Sequence, residues 1–217
     1  MTLPDAPQGS EAWRQARCGS VGASDAPRVV RRTKTGYSAD RESLMADKLL
    51  ERLTDTPVEI FKTQAMLQGT AREPEARMLY QMVRGVEVEE VGLVTHPTIK
   101  GTHASPDGYV LVPFETSIAG LIEIKCPLPA KHLDTLLNET ISNDHMVQMQ
   151  WQMACTDRPW CDYVSFNPDF PAAMQLWIKR VARDQSLIGE LHREIAQFIR
   201  ELEQKVERLS RRYAVAA

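Results

Sequence analysis

One stretch limits the fold more than any other: Ser105-Pro106-Asp107-Gly108, followed after a short gap by Glu123-Ile124-Lys125. Asp107 opens the apolar run Gly108-Tyr109-Val110-Leu111-Val112, which reads as a strand. Turn-forming residues from Pro113 to Gly120 reverse the chain, and Leu121 to Lys125 reads as the returning strand. Side chains alternate along a strand, so Glu123 and Lys125 share one face while Ile124 enters the core. A hairpin then sets Asp107 near Glu123 without a long loop. Leu121, Ile122 and Ile124 mark a buried strand, and such a strand carries Glu and Lys only where they are paired or functional. Two neighbouring carboxylates repel each other, and a hard divalent cation is the natural compensation. Mg²⁺, with Mn²⁺ as a substitute, accepts a few carboxylate oxygens and keeps waters and room for a substrate phosphate. Such an ion lowers the pKa of bound water and neutralises charge on a reacting phosphate. Lys125 would hold the attacking water and stabilise the transition state.

The 217 residues suit one α/β domain with a long helical tail. No stretch is apolar for long enough to span a membrane and no signal-peptide pattern opens the chain, so the expected compartment is the cytoplasm. Cys18, Cys126, Cys155 and Cys161 form no CxxC pair and have no histidine at zinc-like spacing, so they read as thiols with core roles. The net charge of −3 opposes a nucleic-acid partner in sum, but distribution matters more. Arg28, Arg31, Arg32 and Lys34 form one basic segment, and Arg208, Arg211 and Arg212 another; either is also compatible with a solvated face.

Along the chain, Ser10 caps a short helix through Trp13 and Arg17, and Ser24 caps a second, Asp25 to about Arg31. Residues 39 to 52 are helical, and another long helix starts near Val58. Pro74 should kink or restart that helix between Gly69 and Pro74. Glu73 and Glu75 point to nearly opposite sides, so only one of them faces the hairpin. Residues 86 to 95 alternate as an edge or lead strand. Helices at 131–138 and 144–155 follow, then strands at 162–166 and 175–181. Gln148 and Gln152 share a face of the second helix, one turn apart, as a polar stripe for DNA phosphate or a metal-bound water or as an ordinary polar face. Residues 185 to 212 form a long amphipathic helix whose stripe includes Leu191, Ile195, Phe198 and Leu202, packing on the body or on a sister subunit.

These residues resemble the PD-(D/E)xK nuclease superfamily and, within it, the lambda exonuclease and YqaJ-like viral recombinase family. The resemblance runs from Trp13 to about Phe170. It rests on Glu11-Ala12-Trp13 with Arg17 and Gly19, Ala23-Ser24, and Gly69 with Glu73 and Ala76-Arg77. It continues through Ala104-Ser105-Pro106-Asp107-Gly108, Glu123-Ile124-Lys125-Cys126-Pro127, Gln148-Met149-Gln150 and Asn167-Pro168. The fold it implies is a restriction-endonuclease-like α/β core, with a central mixed sheet flanked by helices and a long C-terminal helix over residues 184–212. All 217 residues would form a single exonuclease domain. The implied activity is Mg²⁺-dependent, processive 5′→3′ digestion of linear double-stranded DNA, releasing mononucleotides and leaving a 3′ strand for a single-strand-annealing protein. The implied assembly is a ring-shaped homotrimer, and the implied origin is a phage or prophage in a bacterial host.

By position, the resemblance makes Asp107, Glu123 and the Ile124 carbonyl metal ligands, and Lys125 the catalytic lysine. Glu73 would help hold metal and water, and Gln148 would lie beside the site. Arg17, Ser24 and Ser105 would hold a 5′-terminal phosphate, and Met66 would be an apolar wedge at the end of the duplex. The alternatives are a PD-(D/E)xK endonuclease or other DNA-repair nuclease, and a non-catalytic DNA-clamping subunit.

Overall fold

The computed structural model describes residues 2–3, 8–59, 61, 63–111 and 118–213. In chain order the elements are β1 (Thr2–Leu3), α1 (Glu11–Ala16), β2 (Val21–Gly22), α2 (Ala26–Val30), β3 (Arg32–Thr33), β4 (Gly36–Tyr37) and α3 (Ala39–Thr54). There follow α4 (Gln64–Arg84), β5 (Glu87–Glu89), β6 (Leu93–Thr95), β7 (Thr102–Ala104), β8 (Gly108–Leu111) and β9 (Ile118–Lys125). The chain continues through α5 (Pro129–Asn138), α6 (Asn143–Thr156), β10 (Trp160–Phe166), β11 (Leu176–Ala182) and α7 (Gln185–Tyr213).

β9 lies in the middle of a five-stranded mixed sheet, in the order β11-β10-β9-β8-β5. It runs antiparallel to β8 and parallel to β10. Its even-numbered residues, Ile122 and Ile124, pack with Ala76 and Tyr80 of α4 and with Val164 and Phe166 of β10. On the other face Leu121 meets Met149 and Met153 of α6. The alternation read from the sequence is therefore real, with one helix covering each face. A smaller four-stranded sheet, β1-β6-β7-β2, carries the chain into the hairpin. α7 buries Ile188, Leu191, Ile195, Phe198, Ile199 and Leu202 in a cluster with α2, α3 and α6, so this part of its stripe packs on the body.

Several boundaries differ from the sequence expectations. Ser24 is exposed and caps nothing; Asp25 takes the N-cap position of α2, and its Oδ2 accepts the Gly22 N–H at 3.0 Å. The long helix starts at Gln64, not near Val58, with the Thr63 hydroxyl accepting the Met66 N–H. It does not restart at Pro74. Proline costs one backbone bond there, but Ala76 and Tyr80 are fully buried within the next two turns and hold the helix to the sheet. The expected single strand from 86 to 95 is two strands in different sheets, β5 against β8 and β6 against β7. The returning strand begins at Ile118, so Gly120 is inside β9 and not in the turn. Asp107 sits in a bend just before β8. Val112 and Pro113, called as strand end and turn start, lie outside the described residues.

Candidate active site

Glu123 is buried, 1% exposed, on the α6 face of β9. A buried carboxylate must have its oxygens filled. Gln148 Nε2 donates to Oε1 at 2.7 Å and Gln152 Nε2 donates to Oε2 at 2.5 Å. Lys125, two residues along the same face, forms an ion pair with Oε1. From the neighbouring strand end, Asp107 Oδ2 accepts the Ile124 N–H at 2.6 Å. Arg77 of α4 donates to the Asp107 carbonyl at 3.2 Å and ties that helix to the bend. Asp107 and Lys125 are partly exposed, so they form a rim above the buried glutamate. Glu73 is partly buried and feels the charges of Lys125 and Glu123, whereas Glu75 is exposed. Of the two, Glu73 is the one that faces the hairpin.

The charges do not balance. Burial, then the Glu123 charge, pushes the Asp107 carboxyl well above the usual carboxylate range; Lys125 and the Ile124 N–H pull back only part of this. Burial also raises Glu73, with Lys125 opposing and Glu123 adding. Burial alone would lower the Lys125 amine, but Glu123 and Asp107 outweigh it and hold it above the ordinary lysine range. One ammonium thus faces more carboxylate than it neutralises. All the acidic donors are hard oxygens, which suit Mg²⁺ or Mn²⁺. Among the described residues no group of three or more His, Cys, Asp or Glu forms a ready cage. Mg²⁺ does not need one, since it usually takes one or two carboxylates and completes its shell with water and substrate phosphate. The donor set therefore fits such an ion.

Two residues of this corner, Tyr163 and His145, had no role assigned from sequence. Gln152, read with Gln148 as a polar stripe, has its Nε2 bound to Glu123. Tyr163 of β10 lies in register with Glu123 on the parallel strand, and its hydroxyl pairs with His145 Nδ1 at 3.1 Å. Burial raises the Tyr163 phenol to about 12 against the pull of Lys125. Burial and Lys125 together hold His145 down to about 4. The parallel pairing that places Tyr163 has no local sequence signal.

A second cluster lies beside the first. The Trp13 indole N–H donates to Ser105 Oγ at 3.1 Å, and the Arg17 guanidinium stacks on the Trp13 ring at 4.0 Å. Trp13 is thus the link that joins Arg17 to Ser105. Among the described residues no carboxylate lies within ion-pair distance of Arg17, and no hydrogen bond joins Ser24 to either partner. Met66 is 48% exposed in the first turn of α4 and takes no part in either set of bonds. The basic segment expected near residue 30 is largely spent internally: Arg28 pairs with Asp47, Arg31 with Asp40 and Asp144, and Arg32 with Glu194.

Residues 12–159 match the family model described as YqaJ-like viral recombinase domain. No curated protein matches the chain. Among solved structures, the alkaline exonuclease LHK-Exo from Laribacter hongkongensis is 43% identical, over 94% of this chain and 98% of that one, with a TM-score of 0.86. The same enzyme in complex with dAMP gives 42% identity, the same coverage and a TM-score of 0.86. A phage-related exonuclease from Haemophilus somnus 129PT is 16% identical over 88% of this chain and 96% of that one, with a TM-score of 0.69. At that identity the likeness concerns the fold.

Proposed function

The chain belongs to the YqaJ-like viral recombinase family, and from that premise we propose that it is a metal-dependent deoxyribonuclease that digests linear double-stranded DNA from 5′ ends. The observation that carries this reading is the corner where Asp107, Glu123 and Lys125 meet with an excess of negative charge. Its relative LHK-Exo is an alkaline exonuclease and has been seen with dAMP, which fits mononucleotide release here.

Asp107, Glu123, the Ile124 carbonyl and Glu73 would hold the cation, Mg²⁺ or Mn²⁺. When bound, it supplies an acidified water and charge neutralisation on the scissile phosphate. The remaining work falls to the protein. Lys125 stays protonated because Glu123 and Asp107 hold its amine up, so it acts as a charged donor to the water and to phosphate oxygens and not as a base. Gln148 and Gln152 fix the Glu123 carboxylate in plane. Arg17, stacked on Trp13, offers a forked donor to a 5′-terminal phosphate, with Ser105 and Ser24 adding hydroxyls. Met66 would meet the end of the duplex. The reading extends to a homotrimeric ring that encloses the DNA, to delivery of the 3′ strand to a single-strand-annealing protein, and to a phage or prophage setting in the bacterial cytoplasm. The exposed apolar side chains Met78, Met82 and Val83 on α4 suit burial against other copies.

The test uses linear duplexes labelled at the 5′ or the 3′ end, with and without 5′-phosphate, beside a covalently closed circle, all with Mg²⁺. Early release of 5′ label, faster on phosphorylated ends and absent on the circle, is the expected result. Cutting of the circle would turn the reading to an endonuclease, and digestion from the 3′ end would discard its polarity.

A further inference from the structure

His103 is 2% exposed in β7, and its Nε2 is a buried nitrogen with no hydrogen-bond partner. Such atoms are rare and call for a reason. The other ring nitrogen, Nδ1, is taken by Ser20 Oγ at 2.5 Å. Across the parallel pairing of β2 and β7, His103 stands opposite Gly22. A Cβ on Gly22 would lie 3.0 Å from His103 Nε2 and 3.2 Å from Arg17 Nη2. The imidazole and the guanidinium therefore border the same small gap, which glycine leaves open. Ser105, two residues beyond His103 and just past the end of β7, accepts the Trp13 indole N–H, on whose ring Arg17 stacks.

The polarity of the ring follows from its neighbours. Burial, then the charges of Arg17 and Lys48, keeps His103 neutral, well below the usual histidine range. A neutral ring beside a cation is best placed with its proton on Nδ1, donated to Ser20 Oγ, and its lone pair on Nε2, facing Arg17. A hydroxyl accepts as readily as it donates, so Ser20 permits this tautomer.

We propose that His103 is a positioning residue for Arg17: its free Nε2 lone pair takes a guanidinium N–H across Gly22 when a terminal phosphate draws on the opposite edge of the guanidinium. This rests on the reading of Arg17 and Ser105 as a 5′-phosphate pocket. Trp13 fixes the plane of the guanidinium, and His103 fixes its rotation within that plane. A phosphate that draws on one edge of Arg17 is held best when the other edge has an acceptor waiting for it.

The test is the ratio of digestion rates on 5′-phosphorylated and 5′-hydroxyl duplexes, which does not depend on how much of a preparation is folded. His103→Asn keeps a group near Nδ1 for Ser20 but loses the one at Nε2. His103→Gln restores a polar atom near Nε2. His103→Asn should lower the ratio about tenfold and His103→Gln should keep it within about twofold, the scale of one hydrogen bond to a charged group. An unchanged ratio in His103→Asn overturns the proposal, and so does an equal loss in both variants, which would make His103 only a packing residue. Arg17→Ala separates the two levels: if it abolishes the ratio while His103→Asn does not, the pocket stands and the role of His103 falls. If Arg17→Ala leaves the ratio intact, the pocket falls and this inference with it.

Discussion

Asp107→Asn separates the electrostatics of the corner from its hydrogen bonding. Asparagine keeps an oxygen for the Ile124 N–H, bonded to Asp107 at 2.6 Å, and removes the charge that Glu123 opposes. Two unit charges of like sign about 4 Å apart repel by about 4 kcal/mol at an effective dielectric of about 20, which sets the upper scale for the pair. Lys125 interacts with both and offsets roughly half, leaving about 2 kcal/mol of relief. A neutral acceptor weakens the Ile124 bond by about 1 kcal/mol. The variant without metal should therefore gain about 1 kcal/mol, or ~2–4 °C in Tm for a chain of this size. On the proposed reading it also loses a metal ligand. A cation at about a hundred times its Kd stabilises the native chain by about 2.7 kcal/mol, or ~5–10 °C, and the variant by much less. The pH dependence has a definite sign. The folded Asp107 pKa lies above its ordinary 3.8, so its contribution is complete below that value and is lost as pH rises through the folded pKa. The Tm curves of native chain and variant should therefore separate as pH rises. Thermal unfolding from about pH 4 to about pH 9, in chelator and in Mg²⁺, reads all three effects. A chelated variant less stable than the native chain near neutral pH, or one that gains as much from Mg²⁺, refutes the reasoning.

Lys125→Ala should cut cleavage by about 10³-fold, the loss of one preorganised charged donor, while duplex binding in a gel-shift assay persists; full activity would sink the assigned role. Gly120→Ala places a Cβ within 2.5 Å of three atoms of the Trp160 ring and should cost about 2–3 kcal/mol by overpacking, so an unchanged urea midpoint would contradict the packing of β9 against β10. Burial, His192 and Arg183 depress His96 to about 4, so its contribution is complete above the ordinary 6.5 and is lost as pH falls toward 4. Urea midpoints should fall across that window by an amount on the order of 2 kcal/mol, and His96→Gln should flatten the slope.

The part of the corner legible in the sequence is the part set by period. Glu123 and Lys125 share a face because residues two apart on a strand must, and Gln148 and Gln152 share one because residues four apart on a helix do. The missed boundaries have a common cause, which is packing that overrides local preference. Gly120 reads as a turn residue but lies inside β9, where the Trp160 ring covers the position of its missing side chain. Pro74 reads as a helix break, but Thr63 caps the start of α4 and Tyr80 anchors its far half. The alternating run near residue 90 breaks its period between Glu89 and Glu90, and its two halves pair with different sheets. Tyr163 with His145, and His103 with Ser20, are meetings between distant segments and leave no local pattern.

Gln152 shows what the corner costs the fold. Its side chain is fully buried, its Nε2 is committed to Glu123, and its Oε1 has no partner. Turning the amide over would not help, because it would set a carbonyl against the carboxylate and leave an N–H unpaired instead. A leucine there would remove the orphan oxygen but strip Glu123 of its bond to Oε2, an exchange of one unsatisfied neutral group for a less satisfied charge. The unpaired neutral oxygen is the smaller penalty. The two glutamines also differ in freedom: Gln148 is partly exposed and shares Oε1 with Lys125, whereas Gln152 is fully enclosed and holds Oε2 alone. Any cation that engages Glu123 must compete with the donors already there, and those on Oε1 sit nearer the rim and are the easier to move. The enclosed glutamine then keeps the carboxylate oriented while its other oxygen changes partners, which explains why a stable core tolerates an orphaned amide oxygen on the residue that holds its buried glutamate.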